Sequence, residues 1–157
     1  TAGESGADKP YDFAEWIPDA VIINLGTNDA SAFKEPMWRD WQSGRTFKQH
    51  KNADGTYVRE DVLRLEKAMT DFLAMVRKDN PAAHILWAYG MIGHELSPII
   101  KEAVENYKKE SKDLNVSFLE LPDTSEEQMG SLQHPGKKSH ECATRVIAGY
   151  LKKQLSR

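Results

Sequence analysis

The sequence lacks the features that mark several large classes of protein. It contains a single cysteine, Cys142, so no disulfide can form within the chain. No apolar run approaches the roughly 18 residues that would suggest a membrane-spanning helix. The 21 basic and 24 acidic residues give a net charge of −3, whereas phosphate binding requires a basic face. We therefore expect neither nucleic acid nor a membrane as a partner.

Two further absences concern bound groups. No set of histidine, cysteine, aspartate and glutamate side chains has the spacing of metal ligands. No glycine-rich phosphate loop follows the first predicted strand, which argues against an unrelated flavodoxin-like binding domain. We therefore expect no metal and no other cofactor.

Three short apolar runs predict the strands of one sheet: Ala20–Leu25, His84–Tyr89 and Val116–Leu121. Each run is followed by an apolar stripe with the period of a helix, and these stripes run from Val62 to Val76, from Ile100 to Tyr107 and from Ala143 to Leu155. Strands that alternate with helices predict an α/β fold with a parallel sheet. A chain of 157 residues suits one domain, so we expect residues 1–157 to form a single domain.

Polar residues that could carry chemistry lie just after the predicted strands, where open parallel sheets bind ligands. After the first strand, Gly26 permits a sharp turn, and the amide of Asn28 could serve as an oxyanion donor. The alternative for Asn28 is an ordinary Asx turn. His134 precedes Pro135 just ahead of the last helix, and it is either a general base or a surface histidine in a turn.

Two stretches together resemble a known family. The string from Pro18 to Asp29 resembles block III of the SGNH (GDSL-type) hydrolases, and His134-Pro135 ahead of a terminal helix resembles their block V. The lead Trp16-Ile17-Pro18-Asp19 is similar to that of carbohydrate esterase family 2, the acetyl xylan esterase type. The resemblance covers about residues 11–155. It implies a flavodoxin-like three-layer sandwich whose N-terminal strands are missing from this chain.

The resemblance also implies an activity, namely the removal of acetyl groups from a carbohydrate by a serine ester hydrolase. In this family a serine in a Gly-Asp-Ser motif attacks the acyl carbonyl. Carried over to this sequence, Asn28 would help to bind the oxyanion and His134 would be the base. The expected substrate is an acetylated carbohydrate, and the family favours a secreted or periplasmic location.

Four residues are expected to contact substrate, with alternatives for most of them. Gly26 lies at the oxyanion turn, and Met91 follows the middle strand, where it could line the acyl pocket with His94 or belong to an ordinary loop. Trp38 and Trp41 lie in the irregular segment 30–58, and they could stack on sugar rings or pack in the core or within the loop.

The sequence departs from the family pattern at the nucleophile and at the triad acid. The nearest string to the nucleophile motif is Gly3-Glu4-Ser5, which has no strand before it and too little chain after it. The positions where the family carries the acid are Ser131 and Leu132. We expect the main-chain carbonyl of Leu132 to orient His134 instead, as in family members that lack the acid. Carboxylates that could fold back to the histidine are the alternatives: Asp123, Glu126 and Glu127.

These departures predict that the chain is the C-terminal part of an esterase, with the serine supplied by an N-terminal part of the same protein. The chain alone should then be inactive. The alternative function is that of a catalytically inactive carbohydrate-binding or scaffold remnant of the same fold.

Overall fold

A computed structural model describes residues 12–156 of the chain. In chain order its elements are β1 (Ala20–Ile23), α1 (Thr27–Ser31), β2 (Trp38–Arg39), β3 (Thr46–Phe47), α2 (Arg59–Asp79), β4 (His84–Gly90), α3 (Ser97–Ser111), β5 (Val116–Leu121) and α4 (Lys137–Leu155). The alternation of strands and long helices predicted from the apolar runs is confirmed.

The main sheet has three parallel strands in the order β1-β4-β5. Ala20 lies opposite His84 in the first pair, and Ile85 lies opposite Val116 in the second. The central strand β4 is buried along its whole length, as expected for a strand covered on both faces. Among the described residues β1 pairs only with β4, so its other edge is open.

The helices cover the two faces of β4 because successive side chains of a strand point to opposite faces. Ile85, Trp87 and Tyr89 pack against α2 and α3 on one face. Leu86 and Ala88 pack against α4 on the other face. This arrangement is the α/β architecture with a parallel sheet that the sequence predicted.

Local signals explain where the helices begin and end. Helix α2 ends before Pro81, which cannot continue it, and the Asn80 side chain donates to the Val76 carbonyl oxygen at 3.0 Å. Pro98 lies in the first turn of α3, where its missing N–H costs nothing. Leu96 holds the N-cap position of α3, and Ser97 is already helical.

The irregular segment contains structure that the sequence did not reveal. Strands β2 and β3 form a two-stranded antiparallel hairpin, with Trp38 opposite Phe47 and Arg39 opposite Thr46. The turn of the hairpin is held by Asp40, whose carboxylate accepts hydrogen bonds from the backbone of Gln42 and the hydroxyl of Ser43, both at 2.8 Å. These hydrogen bonds lower the pKa of Asp40. Within residues 12–156, no helix has both the length and the apolar character needed to cross a membrane.

Candidate active site

The carboxyl ends of β1, β4 and β5 form one edge of the sheet because the three strands are parallel. Asn28 follows β1, Met91 follows β4, and His134 lies in the loop between β5 and α4. The topology therefore places all three predicted site residues at the same edge. Ligands of open parallel sheets bind at this edge.

The turn after β1 is held to the neighbouring strand β4 by two side-chain hydrogen bonds. The Asn24 amide donates to the Ala88 carbonyl oxygen at 2.7 Å, and the Trp87 indole N–H donates to the Leu25 carbonyl oxygen at 3.1 Å. These bonds end β1 at Ile23, two residues earlier than the predicted Leu25, and they turn the chain into α1. The predicted strand end at Leu25 is therefore wrong.

Gly26 is required by both its conformation and its surroundings. Its φ of 124° is one that residues with a side chain rarely adopt. A Cβ at this position would lie 3.1 Å from the Tyr89 ring and 3.2 Å from Ile100. Burial, more than any nearby charge, raises the pKa of the Tyr89 phenol, so the group beneath the turn is neutral.

Asn28 lies in the first turn of α1 and is exposed. Its main-chain carbonyl accepts a hydrogen bond from the Ser31 hydroxyl at 3.3 Å, and its side-chain amide has no hydrogen bond to any residue between 12 and 156. An Asx turn, the alternative for Asn28, would require a hydrogen bond between this side chain and the nearby backbone. The amide is thus free to donate to a ligand, and its role as oxyanion donor stays a prediction.

His134 is held by its own backbone neighbours. Its Nδ1 lies 2.9 Å from the Leu132 carbonyl oxygen, which is the contact expected from the sequence. A carbonyl oxygen only accepts, so Nδ1 carries the hydrogen and the Nε2 of the neutral ring keeps its lone pair. The catalytic role of this arrangement stays a prediction.

The loop around His134 is unusually tight. Leu132 and Gln133 have φ angles of 53° and 59°, values uncommon for residues other than glycine. The His134 carbonyl oxygen accepts from Gly130 N–H at 2.7 Å, and Gly136 N–H donates to the Gln128 carbonyl oxygen at 2.8 Å. These bonds fix the backbone on both sides of the imidazole.

The three alternative carboxylates do not contact His134 in the described part of the chain. Asp123 instead lies 3.2 Å from Nε2 of His94 and accepts from Gly93 N–H at 2.9 Å. Glu126 and Glu127 lie in a short 3₁₀ turn and are exposed. The His94–Asp123 contact joins the loops after β4 and β5. No local sequence pattern predicts this contact, because the two residues are far apart in the chain.

Met91 packs into the core beneath the edge. It is 7% exposed, and it clusters with Leu121 and Ala143. Its φ is 72°, and its carbonyl oxygen accepts from Thr124 N–H at 3.0 Å. The residue before it must be glycine, because a Cβ on Gly90 would lie 2.4 Å from the Leu121 oxygen. Contact of Met91 with an acyl group stays a prediction.

The two predicted sugar-stacking residues lie on the hairpin. Trp38 contacts Phe47 with a ring separation of 5.5 Å and remains 59% exposed. Trp41 lies in the turn of the hairpin and is 85% exposed. Neither residue packs in the core, and sugar contact remains a prediction for both. The string Gly3-Glu4-Ser5 lies outside the described residues.

No group of three or more histidine, cysteine, aspartate or glutamate side chains in residues 12–156 is arranged to hold a metal ion. The arrangement at the edge instead combines an exposed amide donor with a histidine whose Nε2 can accept a proton. Such a pair can serve acyl transfer when a nucleophile is supplied beside it.

The fold is that of the three-layer α/β hydrolases of the SGNH type, the class predicted from the sequence. The chain belongs to the GDSL-like Lipase/Acylhydrolase family, which matches residues 7–147. The resemblance to this family is therefore confirmed.

Among solved structures the chain is similar to an acetyl xylan esterase, Est2A, from the rumen bacterium Butyrivibrio proteoclasticus. The identity is 46% and the TM-score 0.92, over 99% of this chain and 42% of that chain. It is also similar to a family two carbohydrate esterase from Clostridium thermocellum solved in complex with cellohexaose. There the identity is 25% and the TM-score 0.71, over 96% of this chain and 40% of that chain.

A curated relative of the chain is also named as an esterase. The chain is 27% identical over 150 residues to the cellulase/esterase CelE of Acetivibrio thermocellus, covering 92% of this chain and 15% of that protein. The chain thus spans less than half the length of each of these three relatives.

Proposed function

We propose that this chain is the C-terminal part of a serine ester hydrolase that removes acetyl groups from carbohydrate. The observation that carries the proposal is the hydrogen bond from Nδ1 of His134 to the Leu132 carbonyl oxygen, which leaves Nε2 free at the edge that also holds Asn28. The similarity to proteins named acetyl xylan esterase and carbohydrate esterase supports the choice of substrate.

In this mechanism Nε2 of His134 takes the proton of a serine hydroxyl as the serine oxygen bonds to the acetyl carbonyl carbon. The electron pair of the carbonyl moves onto its oxygen, where the Asn28 amide donates a hydrogen bond. Collapse of the intermediate breaks the bond to the sugar oxygen, which receives the proton from Nε2. Water then repeats the sequence on the acyl-enzyme and releases acetate.

The serine of this mechanism comes from a part of the protein outside the described residues. We infer that this part also covers the open edge of β1. Ile22 on that strand is 47% exposed, although it lies in an apolar run, and Trp16, four residues before the strand, is 67% exposed. An uncovered apolar edge pairs readily with other strands, so natural proteins cover it. The 157-residue chain alone is expected to be inactive.

The test uses the complete polypeptide encoded by the gene, assayed on an aryl acetate and on acetylated xylan. His134→Ala should lower kcat by roughly 10⁴- to 10⁶-fold, and Asn28→Ala by about 10²- to 10³-fold. His140→Ala is the matched control, because this histidine is also exposed and lies in the first turn of α4, six positions later. A His134→Ala enzyme as active as the His140→Ala enzyme would contradict the proposal. Binding of xylan without any turnover would favour the non-catalytic alternative.

A further inference from the structure

A pair of buried hydroxyl groups lies at the base of the loop that carries His134. Thr124 follows β5, Ser139 lies in the first turn of α4, and the oxygen atoms of their hydroxyls are 2.5 Å apart. Thr124 is 9% exposed and Ser139 is 3% exposed. The segment between them, residues 125–138, is called the histidine loop below. It therefore begins and ends at one buried hydrogen bond.

The histidine loop contributes no residue to the protein core. None of residues 125–138 is buried, and three of them are half-buried, namely Gln128, Pro135 and Gly136. Segments with few buried contacts are the ones that open and move most readily. The attachment of this loop to the fold therefore depends mainly on the point where its two ends meet.

Hydrogen bonds within the loop fix its shape but not its place on the sheet. Gly130 N–H donates to the His134 carbonyl oxygen at 2.7 Å, and Gly136 N–H donates to the Gln128 carbonyl oxygen at 2.8 Å. Each of these bonds joins two residues of the loop, so the loop could swing as one unit without breaking them. The position of the imidazole relative to the strand ends must then be set at the base.

Thr124 connects this base to the sheet and to the last helix. Its main-chain N–H donates to the carbonyl oxygen of Met91, directly after β4, at 3.0 Å. Its hydroxyl is paired with that of Ser139 in α4. A buried hydroxyl that loses its partner is destabilising, so the pair holds one arrangement. Through this residue the end of β4, the start of the histidine loop and the helix after the loop are joined.

We propose that Thr124 and Ser139 are positioning residues that hold His134 at the carboxyl edge of the sheet. The inference rests on the proposed function, because both hydroxyls are buried and act on the reaction through His134. A misplacement of about 1 Å in a catalytic group can lower a rate by about 10²-fold. Loss of either hydroxyl should therefore reduce turnover, although neither group takes part in the chemistry.

The first measurement is the hydrolysis of an aryl acetate by the complete polypeptide and its variants. Thr124→Val keeps the shape of the side chain and removes the hydroxyl, so it should lower kcat by about 10- to 100-fold with little change in KM. Thr124→Ser keeps the hydroxyl and should retain most of the activity. The matched control is Thr144→Val in α4, where the hydroxyl is exposed and donates to the His140 carbonyl oxygen at 2.8 Å. This control should leave kcat unchanged.

The double variant Thr124→Val/Ser139→Ala separates positioning from stability. Thr124→Val alone leaves the buried Ser139 hydroxyl without a partner, whereas the double variant leaves no hydroxyl unpaired. We expect the urea midpoint of the double variant to return toward the wild-type value while its kcat stays low. Recovery of kcat together with the midpoint would overturn the inference. Wild-type kcat in Thr124→Val, or an equal loss of kcat in Thr124→Ser, would overturn it as well.

A second measurement does not depend on ester hydrolysis. In a crystal structure of the double variant, the His134 ring should be displaced from its wild-type place by about 1 Å or more, with its contact to the Leu132 carbonyl oxygen kept. An unmoved ring would defeat this inference alone if the wild-type protein hydrolyses the ester. A displaced ring in a protein whose wild type hydrolyses no ester would defeat the proposed function and leave the anchoring of the loop standing.

Discussion

Replacing Gly26 by alanine should destabilise the protein and distort the turn that carries Asn28. The φ of 124° would have to be adopted by a residue with a Cβ, at a cost of about 1–3 kcal/mol. The new Cβ would also lie 3.1 Å from the Tyr89 ring and 3.2 Å from Ile100, and crowding of this kind in a packed core costs about 1–3 kcal/mol. The sum predicts a loss of about 2–6 kcal/mol in the free energy of unfolding.

The matched control is Gly149→Ala in α4. No heavy atom lies within 4 Å of a Cβ at this position, and alanine is favoured over glycine inside a helix by about 0.5–1 kcal/mol. Urea unfolding of the complete polypeptide should therefore give changes of opposite sign for the two glycine-to-alanine variants. Ester hydrolysis should fall only in Gly26→Ala. Equal stability of the two variants would refute the reasoning about the turn.

Two further predictions concern the open strand edge and a buried histidine. If another part of the protein covers β1, Ile22→Lys should destabilise the complete polypeptide by about 2 kcal/mol or more, because the substitution buries a charge. The control Leu114→Lys, at an 83% exposed position, should change the free energy of unfolding by less than about 0.5 kcal/mol. Equal effects of the two substitutions would contradict the proposal that β1 is covered. Burial first, and then the Arg77 guanidinium, lower the pKa of His84 below its ordinary 6.5. The unfolded chain therefore binds a proton at His84 more readily than the folded chain does. The stability that neutral His84 contributes is fully present above about pH 6.5 and is lost as the pH falls below that value. An NMR titration in which the His84 ring protonates at or above 6.5 would contradict this.

The strands of the sheet could be predicted because their runs are short and largely apolar, and each is followed directly by glycine or proline. The end of β1 could not, because it depends on Asn24 and Trp87, which make hydrogen bonds across more than sixty positions of sequence. The β2–β3 hairpin was missed for a different reason. Its strands have two residues each and are exposed, so they show no alternation of apolar and polar residues.

The candidate site also contains features that could be predicted from the sequence and features that could not. Asn28 and His134 could be placed at one edge from the order of strands and helices alone. The contact of His134 with Leu132 could be predicted from the resemblance to family members that lack the triad acid. The His94–Asp123 contact depends on how two separate loops pack together, and no short sequence pattern predicts that packing.

The hydrogen bond from His134 to the backbone of Leu132 determines which substitutions position 132 can tolerate. A carbonyl group belongs to every amino acid, so no substitution at 132 can remove the acceptor itself. Because Leu132 is 86% exposed, the main structural constraint at this position is its backbone φ of 53°. Glycine, asparagine and aspartate adopt this conformation most readily. Variation among homologues at this position should therefore follow backbone preference rather than acidity. A comparison of side chains alone would therefore miss the carbonyl group that orients His134.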